Sequence, residues 1–134
     1  MIQVKVKCPH CGKSLMEEKT KIDEHPSVRV IIEHKKKKGE LLLSSLYGSY
    51  NIQSQLDVPK GEVVDFFCPH CNTNLKTGRV CGDCQAPMVG MNFFQGGRVL
   101  ICSRKGCKKH LIEFEDLDKE LLAFYNAYPL FFRG

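Results

Sequence analysis

No stretch of the 134-residue sequence approaches the ~20 consecutive apolar residues that a membrane-spanning helix needs, so a soluble protein with no membrane partner is expected. No secretory leader is expected, because MIQVKVKC places charges where an apolar segment would have to lie. A chain that is not exported keeps its thiols reduced, which predicts a cytoplasmic location and argues against disulfides. Catalytic arrangements are also absent: no Gly-rich phosphate loop, no Ser/His/Asp order and no paired-carboxylate motif. Finally, the chain lacks length. It allows one domain or two very small ones, and neither half can bury a self-sufficient core. A module of roughly 60–70 residues needs a staple.

What the sequence does have is eight cysteines in four close pairs. They are CPHC at 68–71, CGDC at 81–84, Cys102 and Cys107 in CSRKGC, and Cys8-Pro9-His10-Cys11, which repeats the CPHC of 68–71 letter for letter. Pairs separated by two residues, with Pro, Gly and Lys around them, are the pattern of zinc knuckles. Eight such thiols supply two four-thiolate sites. Gly12 and Asn72 follow the two identical knuckles, at the position where the chain needs a positive φ. Each knuckle then runs on to a leucine, Leu15 and Leu75. Two copies of one knuckle are most simply two halves of one site, so Cys8, Cys11, Cys68 and Cys71 are expected to share a metal. Cys81, Cys84, Cys102 and Cys107 then form the second site. An alternative pairing joins Cys68/Cys71 to Cys81/Cys84 and leaves Cys8/Cys11 with Cys102/Cys107. His10 and His70 lie inside their knuckles and point away from the metal, and His110 is left out of a filled tetrahedral shell. Two closed sites of this kind are structural, so the chain is not expected to be an enzyme and its cofactors are two Zn2+, with iron possible at one site.

The 56 residues between the two CPHC motifs carry strand patterns rather than disorder. Ile2, Val4 and Val6 alternate with Gln3, Lys5 and Lys7, and Val28, Val30 and Ile32 alternate further on. With 40–46, 52–56 and 62–67 they predict an antiparallel meander of about four strands inserted at 22–66. Lys35–Lys38 reads as a solvated hairpin tip. The predicted fold is therefore a small all-β, metal-stapled protein. It has a zinc-ribbon-like module over 1–77, a second ribbon over 78–113, and a short C-terminal helix and aromatic tail over 114–134.

Residues 81–110 carry a resemblance. Cys81 and Cys84, Pro87-Met88-Val89, Gly97-Arg98, Cys102-Ser103 and Gly106-Cys107-Lys108 are similar to the C-terminal four-cysteine zinc ribbons of bacterial type I DNA topoisomerases. The resemblance covers about 30 of the 134 residues. It implies a ribbon fold, a bound metal, and single-stranded DNA or RNA held partly by base stacking on aromatic side chains. Phe94, Arg98, Arg104, Lys105, Lys108 and Lys109 are the candidates for that contact. Of Phe93 and Phe94, adjacent on a strand, at most one packs inward. The sequence departs from the family in having Val99-Leu100-Ile101, with no aromatic, before the third cysteine, and Gly82 and Gln85 in the first knuckle. Residues 67–112 carry 7 basic and 1 acidic side chains. That excess suits a polyanion, and equally suits the formal charge of about −2 on a dication held by four thiolates.

The tail changes character. Leu117, Leu121, Leu122, Phe124 and Tyr125 would form the apolar face of a helix, followed by Tyr128, Leu130, Phe131 and Phe132 around Pro129. This run either folds back on the core or docks on a partner. Three functions follow: an adaptor or accessory subunit docking on a larger protein complex, a single-stranded nucleic-acid binder, and a rubredoxin-like electron carrier if a site holds iron.

Overall fold

Alternation decides which faces are buried. Val28, Val30 and Ile32 are at most 3% exposed, whereas Arg29, Ile31 and Glu33 between them are half-buried. The computed structural model describes residues 3–94 and 96–113, and every element there is a β-strand. In order they are β1 (Val6–Lys7), β2 (Met16–Ile22), β3 (His25–His34), β4 (Lys37–Leu43) and β5 (Ile52–Ser54), then β6 (Asp65–Phe67), β7 (Lys76–Val80), β8 (Pro87–Phe93), β9 (Arg98–Cys102) and β10 (His110–Glu113). They make two five-stranded antiparallel sheets, one of β2–β6 and one of β1 with β7–β10. The strands expected within 22–66 are there as β3 to β6. The helix and aromatic tail expected over 114–134 lie outside the described residues.

Two strands escaped the alternation rule. β7 (KTGRV) is largely solvent-facing and β2 (MEEKTKI) is fully buried only at Ile22, so neither shows an apolar face in sequence. Each is held by its hairpin partner, β2 by β3 and β7 by β8. The division expected at 77/78 falls inside β7. Lys35 and Lys36, at the β3–β4 turn, both take positive φ (50° and 67°), as a two-residue hairpin turn requires.

The sheets are built alike. β3 carries β4 along one edge, with β2 and β6 end to end on the other. β8 likewise carries β9 on one edge, with β7 and β1 on the other. Val28 pairs with Leu43 as Val89 pairs with Ile101, and Leu43 pairs with Ile52 as Ile101 pairs with His110. Ile32 pairs with Phe66, and Phe93 with Val6. Residues 3–54 and 63–113 are thus two structural repeats. Each lends its first strand to the other's sheet: β1 joins β8 and β6 joins β3. One core cluster therefore spans both repeats, and includes Val6, Leu15, Val30 and Ile32 with Phe66, Leu75, Val89 and Phe93.

Candidate metal centres

Each CPHC knuckle turns back on itself in the same way. Cys8 N–H donates to Lys13 O and Gly12 N–H to Cys8 O; Cys68 N–H donates to Thr73 O and Asn72 N–H to Cys68 O. Gly12 (φ 75°) and Asn72 (φ 59°) take the left-handed conformation that brings the chain past the thiol. Within each turn two amides point at the first sulfur. His10 N and Cys11 N lie 3.3 and 3.5 Å from Cys8 Sγ, and His70 N and Cys71 N lie 3.3 and 3.5 Å from Cys68 Sγ. Amides in this position stabilise a thiolate.

The strand exchange brings the two knuckles face to face. Cys8 Sγ is 3.7 Å from Cys71 Sγ, and Cys11 Sγ is 3.8 Å from Cys68 Sγ. Ligands 2.3 Å from a tetrahedral centre stand about 3.8 Å apart, so this donor set fits one ion without rearrangement. Cys8 and Cys68 are buried; Cys11 and Cys71 face solvent. Because two thiols come from each repeat, this centre lies between the repeats and ties them together.

The second centre belongs wholly to the second repeat. Cys81 and Cys84 sit at the β7–β8 turn, and Cys102 and Cys107 at and beyond the end of β9. Cys81 Sγ is 3.7 Å from Cys107 Sγ, and Cys84 Sγ is 3.4 Å from Cys102 Sγ. All four sulfurs lie within 4.8 Å of one another, as they do in the first centre. Each set of four could hold a metal ion, and the grouping is the one that pairs identical knuckles. The soft, all-sulfur, tetrahedral shell suits zinc or iron. Among the described residues, no fifth protein donor and no carboxylate belongs to either group.

The thiols differ in proton affinity. Burial pushes Cys8 up to about 12, and raises Cys68 and Cys102 as well. The Thr73 hydroxyl, 3.2 Å from Cys71 Sγ, brings exposed Cys71 down to about 6. The Ala86 amide, followed by Arg104, brings Cys84 to about 6.

The basic residues around the second centre are partly committed. Arg104 donates to Gly61 O (2.7 Å) and Cys84 O (3.4 Å), and the nearby thiols hold it firmly protonated. Its Nε is a buried polar atom without a hydrogen-bond partner, and the side-chain hydrogen bond to Cys84 is the main cause of its raised proton affinity. Lys108 lies 5.2 Å from the centre of the Tyr50 ring, and Lys109 lies 4.0 Å from Asp83. Lys105 is half-buried. Phe94 is 40% exposed while Phe93 is 1% exposed, as opposite strand faces require. Phe94 and Arg98 border the β8–β9 turn, at the far end of the hairpin from residues 104–109. The six nucleic-acid candidates therefore form two groups rather than one path. Tyr128, Leu130, Phe131 and Phe132 lie outside the described residues.

His70 Nε2 is 3.1 Å from Ser14 O, and His34 Nε2 is 3.8 Å from Glu62, and neither belongs to a sulfur group. Between the sheets lies a cavity of about 430 Å3 whose walls include Val6, Ile32, Leu41, Phe66, Met91 and Val99. No helix among the described residues is long and apolar enough to cross a membrane. Comparison with family models, with curated proteins and with solved structures finds no match for the chain.

One cluster was not foreseen from sequence. Asp23 accepts from Ser44 Oγ and Ser49 Oγ at 2.6 Å each, and from Asn51 Nδ2 at 2.7 Å. These donors hold its carboxyl below the usual carboxylate range. Residues 44–49 read SSLYGS against CSRKGC at 102–107. That six-residue correspondence, with Ser45 and Gly48 matching Ser103 and Gly106, is the trace that both the cluster and the repeat leave in the sequence.

Proposed function

We propose that this protein is a non-enzymatic zinc-stapled adaptor that docks on a larger protein complex. The observation carrying the reading is that both donor sets are complete. Four sulfurs at tetrahedral spacing leave no open position for water or substrate, as a catalytic zinc would require. The two ions are Zn2+ in a structural role. Docking falls to the C-terminal run containing Tyr128, Leu130, Phe131 and Phe132, whose aromatic density suits burial against a partner. Tagged full-length chain should recover a partner that a chain ending at Tyr125 does not. Equal recovery by both removes the tail from the interface.

Single-stranded nucleic-acid binding is the second reading, favoured by the resemblance of residues 81–110 and by the exposure of Phe94. It predicts binding that weakens steeply with salt and with Phe94→Ala. No retention on single-stranded DNA or RNA at low salt would exclude it. Iron in place of zinc at one centre would make electron transfer the function instead.

A further inference from the structure

The repeat assigns a counterpart to every ligand of the second centre. Ser44 stands where Cys102 does: Ser44 N–H donates to Asn51 O and Cys102 N–H to Lys109 O, both at 3.1 Å. Ser49 stands where Cys107 does, donating to Leu46 O at 3.0 Å as Cys107 donates to Arg104 O at 3.1 Å. Gly48 (φ 93°) matches Gly106 (φ 89°). Next door, Ser45 Oγ donates to Pro26 O and Ser103 Oγ to Pro87 O. On the facing turn, Ile22 pairs with His25, while Cys81 N–H donates to Ala86 O. Glu24 (φ 66°) matches Gln85 (φ 67°), which leaves Asp23 opposite the knuckle residues 82–84.

The surrounding charges change in step. Arg104, Lys105, Lys108 and Lys109 of the second repeat correspond to Leu46, Tyr47, Tyr50 and Asn51 of the first. At these four positions the cations belong to the loop that carries the thiolates, and Lys108 reaches from it to the Tyr50 ring of the other loop. A dianionic centre needs them; one carboxylate already held by three donors does not.

We propose that the first repeat is a metal ribbon whose own four-thiolate site has been replaced by the hydrogen-bonded Asp23 carboxylate. The architecture thus has three places for a metal, of which the chain uses two. This rests on the two cysteine groups holding metal. The Asp23 carboxylate ties the β2–β3 turn to residues 44–51, as the ion ties the β7–β8 turn to residues 102–107. The turn of the second repeat then depends on metal and its counterpart in the first repeat does not.

The test restores the lost site. Residues 22–24 are replaced by Cys-Gly-Asp-Cys-Gln, with Ser44→Cys and Ser49→Cys, and zinc per chain is counted by native mass spectrometry. The natural chain should carry two ions and the grafted chain three. A grafted chain that keeps its two ions but gains no third overturns the proposal, as would three ions in the natural chain. Fewer than two ions in the natural chain strikes instead at the metal reading beneath it. Should the graft not fold, hydrogen exchange on Asp23→Ala decides: protection over 44–51 should drop at least tenfold with two zincs retained. Unchanged protection there would also overturn the proposal.

Discussion

Replacing Cys68 by serine removes one sulfur from the centre that both repeats share, and the loss should be global. Cys68 is fully buried and accepts from two backbone amides, so the substitution puts a neutral, shorter hydroxyl, a poor metal ligand, where the amides are arranged for a thiolate. Beyond this centre, the repeats are tied by short exchanged strands: Val6–Lys7 against β8 and Asp65–Phe67 against β3. Burying Val6 and Phe66 there contributes about 1.5–3 kcal/mol each. A structural zinc site contributes about 10–16 kcal/mol in isolated peptides. Losing even half of that matches the ~5–15 kcal/mol total stability of an ordinary domain. Cys107→Ser strikes a centre confined to one hairpin end, and should free residues 81–86 and 102–109 while β1–β6 stay ordered. The assay is hydrogen exchange read by mass spectrometry at neutral pH, alongside urea unfolding. Cys68→Ser should abolish slow exchange in both sheets; Cys107→Ser should leave it in β3 and β4. Equal local damage from the two variants would refute the claim that the first centre joins the repeats.

Other positions test the same architecture. Leu15 and Leu75 are each 1% exposed at matching places in the repeats, so Leu15→Ala and Leu75→Ala should each cost about 2–5 kcal/mol in urea unfolding. A cost confined to one of them would weaken the equivalence. A Cβ on Gly39 would lie 2.8 Å from Leu56 Cγ, so Gly39→Ala should destabilise by about 1–3 kcal/mol, with part recovered by adding Leu56→Ala. No cost, or no recovery, would contradict the close packing of β4 on residues 55–56. Burial raises Cys8 to about 12, so near neutral pH the metal-free fold favours the protonated thiol there. Metal binding must expel it, and apparent zinc affinity should therefore fall as pH falls. Competition with a chromophoric chelator between pH 8 and pH 6 reads this directly; a flat profile would contradict it.

Some of this was legible in the residues alone. The duplicated CPHC, with Gly12 and Asn72 behind it and a leucine three residues on, announces a shared centre because that local turn admits few sequences. β3 and β4 are legible because one face of each packs into a core. β2 and β7 are not, since partly exposed strands held by one hairpin partner place no demand on polarity period. The repeat itself hides because equivalent positions carry different chemistry: Arg29 matches Gly90, Ile32 matches Phe93, and serines replace the cysteines at 44 and 49. Arg104 shows the other limit. By sequence it is one more cation for a phosphate, whereas in the fold its guanidinium spans Gly61 O and Cys84 O beside the thiols.

Metal content and the visible absorption spectrum of freshly purified chain bear most directly on the two closed centres. Two zinc ions per chain and no visible bands are the predicted result. Iron with charge-transfer absorption, or a metal-free chain with its cysteines oxidised to disulfides, would contradict it.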